Sequence, residues 1–494
     1  MTISLQTESA APIVIYALAK DEALSKQLSS IAKLHKVATS LLENDFKAAH
    51  KEVVSFYCNK KGAEQKIYLV GLGEKAGFAE VLSAFRSFIF QKKAKIGAHI
   101  AVDISILPKK TLDIKWIDAI ANGITLGRYD IGLYKTDKKE APIFISRDAK
   151  VDIISSLADH DDAKNVLNQG IRTAETQLRI FDLVNAPGNK KTPTHLAKWA
   201  EKSGKEYGFK TTILEKKDLE KEKLGALLSV SRGSAEDPVL IVMEYKPKGE
   251  KNLPKIGLIG KGVTFDTGGV SIKGSTNMHQ MKSDMGGAAA VLGTMELVAK
   301  LGLPIHLIGV VPSTENCVDG KSTKPGDVIT SYSGRTIEVI DTDAEGRLIL
   351  SDAITYMVKH FAPDTMIDLA TLTGSIIGTL GFAAAGMFTN NDELANDVQA
   401  LGYKYGEKVW RMPLWDVYKD DISSDVADLR NFSGKPMAGA ISAAKFLEVF
   451  TDNHAAWMHL DIAGVAFMDG EFASQKSSTA YGIRLLSEYA LSKV

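Results

Sequence analysis

Apolar positions along the chain follow two periods, and the switches between them outline the fold. Short runs at 13–18, 67–72 and 99–106 are rich in β-branched residues and read as strands, and the stretch 78–91 has helical spacing. A polar segment at 159–164 opens a long helical pattern, 163–183. It runs into Asn185-Ala186-Pro187-Gly188, where the proline–glycine pair stops it. Beyond this point, predicted helices at 195–207, 286–301 and 345–360 alternate with strand-like runs at 239–245, 256–260, 305–311, 337–340 and 366–369. Such alternation implies a mixed, mostly parallel sheet flanked by helices, with ligands gathering at the carboxyl ends of its strands. The expected organisation is α/β in two domains: a smaller N-terminal α/β domain over 1–160, a helical connector over 161–187, and a larger domain over 188–494.

Length and composition narrow the class. At 494 residues the chain exceeds one ordinary core. Its 60 Lys+Arg balance 60 Asp+Glu, which argues against a chain built to coat nucleic acid or an anionic membrane. The short basic cluster Lys92, Lys93 and Lys95 reads as a solvated helix end. Cys58 and Cys317 are too few for a disulfide framework and read as small buried residues in a reducing compartment. Residues 1–11 lack the basic and apolar regions of a secretory signal, and no apolar run approaches the ~20 residues that span a bilayer. A cytoplasmic location is expected.

The candidate chemistry lies within residues 256–350. The run 256–260 leads into Lys261 and then Asp266-Thr267-Gly268-Gly269, so Lys261 and Asp266 fall at or just past a strand end. Lys273 follows, then Asp284 at the start of an Ala/Gly-rich helix. A β-like run at 336–340 ends in Asp341-Thr342-Asp343-Ala344-Glu345. In an extended segment residues i and i+2 face the same way, so Asp343 and Glu345 are expected to converge. Carboxylates gathered inside a fold repel one another and lose hydration, and they need protons or cations to persist. Asp266, Asp284, Asp343 and Glu345 together would form a hard, oxygen-rich site suited to a hydrolytic pair of divalent metals. Taken singly, each reads better as an N-cap or a loop charge. The set, with its glycine-lined turns and interleaved basic residues, is what points to metal.

Three segments also carry a resemblance: Gly260-Lys261-Gly262-Val263-Thr264-Phe265-Asp266-Thr267-Gly268-Gly269, Met281-Lys282-Ser283-Asp284-Met285-Gly286-Gly287, and Thr342-Asp343-Ala344-Glu345-Gly346-Arg347-Leu348. They resemble the signature blocks of the leucyl (cytosol) aminopeptidase family, and the spacing between them fits without insertions. Similarity continues through Leu183-Val184-Asn185-Ala186-Pro187, Ala370-Thr371-Leu372-Thr373-Gly374 and His459-Leu460-Asp461-Ile462-Ala463-Gly464. The first third of the chain shares only the coarse α/β pattern.

The resemblance implies a metallo-exopeptidase that hydrolyses the N-terminal bond of peptides, releasing leucine and other, mainly apolar, residues by way of a metal-bridging hydroxide. It implies that Lys261, Asp266, Asp284, Asp343 and Glu345 hold two divalent ions, zinc or manganese. Asp266 and Glu345 would bridge, Asp343 and its carbonyl would serve one ion, and Lys261 and Asp284 the other. A lysine ligand must be neutral, so its pKa would have to fall far below ~10.4. Lys273 matches a catalytic donor to the oxyanion, and Arg347 a residue that holds bicarbonate to relay a proton. Met281, Thr371, Gly374, Ala463 and Ala466 match the pocket for the first side chain. Ala466 stands where some members have methionine, so broader selectivity is expected. The implied assembly is a homohexamer.

Two departures stand out. Asp341 occupies a position where the family usually has asparagine, and Gly274 one where proline is common; neither removes a ligand. Other motifs fail. Gly320-Lys321-Ser322 lacks the leading glycine of a phosphate loop, because Glu315 holds that place. Gly77 is one residue late for a dinucleotide fingerprint with Gly71 and Gly73, and no His-Glu-x-x-His segment exists. Trp410, Trp415 and Trp457 read as packing residues. The rival readings are a scaffolding or DNA-binding protein that works through its surface, and a dipeptidase acting on a substrate such as cysteinylglycine. Nucleic-acid binding is not expected from the neutral charge balance.

Overall fold

The structure, a computed structural model, describes residues 1–494 except 61, 108–112, 138–139, 147 and 251. The chain divides into two units, Met1–Leu178 and Arg179–Val494, with the division falling inside the helix Asp161–Asn185.

The first unit holds a six-stranded sheet in the order Thr2–Gln6, Lys150–Ile154, His99–Asp103, Ile13–Leu18, Ala63–Gly71, Val53–Lys60, parallel except for its last pair. Ile13–Leu18 is buried along its whole length, as a strand covered on both faces should be. The expected strand 99–106 stops early, at Asp103. Its carboxylate accepts from the amide and hydroxyl of Ser105 at 3.0 and 2.7 Å and turns the chain. The helix Lys115–Gly127 was not evident from apolar spacing because nearly all of it is buried. It lies close against Phe78–Lys92, where a Cβ on Gly123 would stand 2.5 Å from the Leu82 carbonyl oxygen. Two expectations need correcting here. Lys93 turns inward to donate to the Tyr129 carbonyl at 2.7 Å, so the basic cluster is not wholly solvated. Cys58 is half-buried rather than buried, its Sγ 3.4 Å from His35 Nδ1.

The main sheet of the second unit runs Val409–Arg411, Ala385–Thr389, Trp457–Asp461, Thr365–Ala370, Lys255–Gly260, His306–Asn316, Val239–Tyr245, Lys210–Leu214. The strands from Trp457–Asp461 to His306–Asn316 are mutually parallel, with antiparallel joins on either side. Gly262–Asp266 continues from the central strand and pairs with the far end of His306–Asn316. The helix Gly286–Leu301 approaches the sheet to backbone contact: a Cβ on Gly287 would stand 2.0 Å from the Leu369 carbonyl oxygen, and one on Gly260 2.4 Å from that of Gly287. This close approach accounts for the glycine at 287.

The expected strand 337–340 is a shorter segment, Thr336–Glu338, and it lies outside the main sheet. It pairs with Val328–Thr330 and Leu429–Arg430 in a separate three-stranded sheet. Of the three tryptophans expected to pack, Trp457 is buried, donating through Nε1 to Asp368 at 2.8 Å, whereas Trp410 and Trp415 are exposed. Among the described residues, no helix is long and apolar enough to cross a membrane.

Candidate active site

Lys261 sits at the junction between the strands Lys255–Gly260 and Gly262–Asp266, and Asp266 ends the second of them. Asp284 lies between the 3-10 turn Met278–Ser283 and the helix Gly286–Leu301. Glu345 opens the helix Glu345–Phe361. Asp343 and Glu345 do converge, but not by strand alternation as the sequence pattern implied. The chain turns at 341–344 and enters the helix at Glu345, so a turn and the first helical residue bring the two carboxylates together.

One oxygen from each of Asp266, Asp343 and Glu345 lies within 4.8 Å of the others. Asp284 stands on the far side of Lys261, whose Nζ is 2.9 Å from Asp284 Oδ2, 2.8 Å from Glu345 Oε1 and 3.0 Å from the Thr371 carbonyl oxygen. Lys273 Nζ lies 2.8 Å from Asp266 Oδ2 and in direct contact with Asp343 Oδ1. Although Lys261 is at ion-pair distance, Asp284 Oδ2 and both Glu345 oxygens are buried and accept no well-formed hydrogen bond. Burial and their mutual repulsion raise the Asp284, Asp343 and Glu345 carboxyls, Asp343 to about 7. Converging carboxylates, with the Glu345 oxygens and Asp284 Oδ2 left without hydrogen-bond donors, are what divalent cations bind, so the residues fit divalent metal.

The expected depression of Lys261 is reversed in the protein's own field. Burial lowers its pKa, but Asp284, Glu345 and Asp266 together overcome this and hold the ammonium above its ordinary value. Lys273 is raised in the same way by Asp266, Glu345 and Asp343 against its burial. Service of Lys261 as a ligand therefore requires dications to displace its proton.

Several residues that hold this arrangement carried no signal in the sequence. Asn316 Nδ2 donates to Asp266 Oδ1 at 2.8 Å and to the Thr342 carbonyl at 3.0 Å, joining two ligand-bearing loops. Thr371 Oγ1 donates to Asp284 Oδ1 at 2.7 Å. Asn431 is fully buried. Its Oδ1 accepts from the amides of Ile340 and Asp341 at 2.8 and 3.3 Å, and its Nδ2 donates to the Asp341 and Ala344 carbonyls at 2.6 and 3.4 Å. Its carbonyl accepts from Arg347 Nη1 at 2.8 Å. Asp341, the departure from asparagine, accepts from the Asp343 amide at 2.8 Å and so braces a candidate ligand. Lys191, fully buried, donates to the carbonyls of Val184 at 2.9 Å and Lys282 at 2.5 Å. Lys282 in turn donates to the Asn185 carbonyl at 3.0 Å. This ties the 183–187 motif to the loop that carries Asp284.

The site opens into a cleft of about 320 Å³ lined by the five candidate ligands, Lys273, and Met281, Thr371, Gly374 and Ala463 among others. Ala466 and Arg347 do not line it. Ala466 packs behind the wall, its Cβ 3.0 Å from where a Cβ on Gly286 would stand, while the next residue, Phe467, reaches the cleft. Arg347 is buried, its Nε without a hydrogen-bond partner and its pKa pushed down to about 10 by burial. Cys317 is half-buried and its thiol is pushed up to about 11 by burial and by Glu315 and Asp266, which keeps it from thiolate chemistry.

A donor-poor nest of carboxylates at strand and helix ends, open to a cleft, defines a divalent-metal enzyme on an open α/β sheet. Residues 180–487 match the model of the "Cytosol aminopeptidase family, catalytic domain", and residues 13–138 that of its N-terminal domain. A "Probable cytosol aminopeptidase" of Chloroherpeton thalassium is 43% identical over 492 residues, covering 96% of each chain. A protein of the same description from Chlorobium phaeobacteroides is 43% identical over 94% of this chain and 93% of its own. Among solved structures, "Bottromycin maturation enzyme BotP in complex with Mn" is similar with a TM-score of 0.84 and 30% identity, covering 98% of this chain and 99% of that one. The chain belongs to the cytosol aminopeptidase family. It is a metallo-aminopeptidase, hydrolysing N-terminal peptide bonds with the help of metal.

Proposed function

We propose that the protein releases N-terminal leucine and other, mainly apolar, residues from peptides using two divalent ions, zinc or manganese. Asp266, Glu345, Asp343, Lys261 and Asp284 would hold the ions. The observation that carries this reading is the convergence of Asp266, Asp343 and Glu345 within 4.8 Å beside carboxylate oxygens that lack donors. Divalent ions held there would supply Lewis acidity and make water a nucleophile at neutral pH.

The chain's own residues do the rest. Lys273 Nζ, already at the mouth of the carboxylate cluster, donates to the oxyanion that forms at the scissile carbonyl. The Nε of Arg347 has no protein partner, which suits it to hold a small anion such as bicarbonate that passes a proton to the leaving amine. Thr371 fixes Asp284 and also forms cleft wall with Met281, Gly374 and Ala463, where the first side chain rests. A free amino terminus held beside the carboxylate cluster would present only the first peptide bond for attack, which would give exopeptidase action. We further propose a cytoplasmic homohexamer; exposed Trp410, Trp415, Val417 and Met437 on the second unit supply apolar surface for association.

The test is hydrolysis of leucine amide by protein stripped with a chelator and then reloaded. Activity should vanish on stripping and return with manganese or zinc; activity that survives complete stripping would contradict the reading.

A further inference from the structure

We infer that Lys476 extends the cleft's range to peptides whose first residue is acidic, favouring glutamate over its neutral isostere glutamine. The inference rests on the aminopeptidase reading and adds a substrate class to it. Three lysines line the cleft. Lys261 and Lys273 each contact two of the ligand carboxylates, so their charges are answered within the site. Lys476 differs: among the described residues it forms no ion pair, and its Nζ lies 4.7 Å from the centroid of the Phe382 ring.

Phe382 is itself half-exposed and follows Gly381, whose carbonyl packs so tightly on Gly464 that a Cβ there would stand 2.3 Å from its oxygen. The backbone that carries Phe382 is thereby held against the segment that follows Ala463. An aromatic face steadies an ammonium group without neutralising it. The cleft that Lys476 lines also has Gly374, Ile377, Ala463 and Phe467 in its apolar lining. A partly buried, unanswered positive charge thus stands at the edge of the apolar wall along which the first side chain would lie. A glutamate there places its methylenes on the wall and its carboxylate at Lys476 Nζ. A lysine or arginine meets like charge at the same point, and leucine still finds the apolar part.

The experiment compares kcat/KM for glutamyl-, glutaminyl- and leucyl-p-nitroanilide in the metal-loaded wild type, Lys476→Met and Lys476→Glu. Glutamate and glutamine are nearly isosteric, and an anilide has no C-terminal carboxylate, so the Glu:Gln ratio reads the side-chain charge alone. The ratio is expected to fall about fivefold in Lys476→Met and further in Lys476→Glu, and to shrink with added salt in the wild type, since a partly exposed pair is screened. A ratio unchanged by Lys476→Met, or insensitive to salt in the wild type, overturns the inference. Absence of leucyl hydrolysis in the wild type would instead strike the aminopeptidase reading, and this inference with it.

Discussion

Gly346 has no side chain because Lys261 lies across it: a Cβ would stand 2.7 Å from both Cε and Nζ of that lysine. The nearest atoms belong to the end of a flexible side chain, so Gly346→Ala should fold and shift Lys261 away from Glu345. The expected outcome is a thermal midpoint near that of the parent with at least a ~100-fold loss of kcat/KM on leucine amide, since displacement by an ångström is enough. Asn431 acts through the same loop. Asn431→Ala removes four side-chain hydrogen bonds from residues 340–344 and is expected to weaken metal retention at least tenfold, read by competition with a chromogenic chelator. The candidate ligands were legible in the sequence because each stands in a short motif beside glycine. Asn316, Asn431 and Lys191 were not, because they reach the ligand loops from distant parts of the chain and carry no motif of their own. Nor was the raised Lys261, whose state depends on the sum of three carboxylates rather than on its neighbours in sequence.

The helix that begins at Glu345 is anchored by a second buried acid, Asp352. Its oxygens accept from the amides of Ala226 and Leu227 at 2.9 Å and from Tyr332 at 2.7 Å, yet burial pushes its pKa up to about 7. The folded state therefore holds a proton that the unfolded chain releases near pH 4. This contribution to stability is full below pH 4 and is lost as the pH rises toward 7. Asp352→Asn removes that dependence, so its destabilisation relative to the wild type, about 1–3 kcal/mol, should be larger at pH 5 than at pH 8 in urea unfolding. Gly287→Ala should destabilise by about 3 kcal/mol or more, because the backbone of Leu369 cannot yield to a Cβ. Strands such as Ile13–Leu18 and Val239–Tyr245 were readable from buried apolar runs. Lys115–Gly127 was hidden because burial on all sides erases helical periodicity, and Thr336–Glu338 was misassigned because strand patterning does not say which sheet a strand joins.

At the scale of the molecule, the proposed hexamer should give a mass in light scattering of six chains of 53.5 kDa each; a monomer at micromolar concentration would contradict it. The account depends more deeply on what balances the carboxylates. Two lysines answer four acids within the protein, and the remaining negative charge is what divalent ions are called on to neutralise. The most direct measurement is the metal content of purified, metal-loaded protein, taken together with hydrolysis of leucine amide, in the wild type and in Asp266→Asn. Two divalent ions per chain in the wild type, with metal content and activity falling together in Asp266→Asn, is the expected result. A wild-type protein that retains no divalent ion and still hydrolyses leucine amide would contradict it.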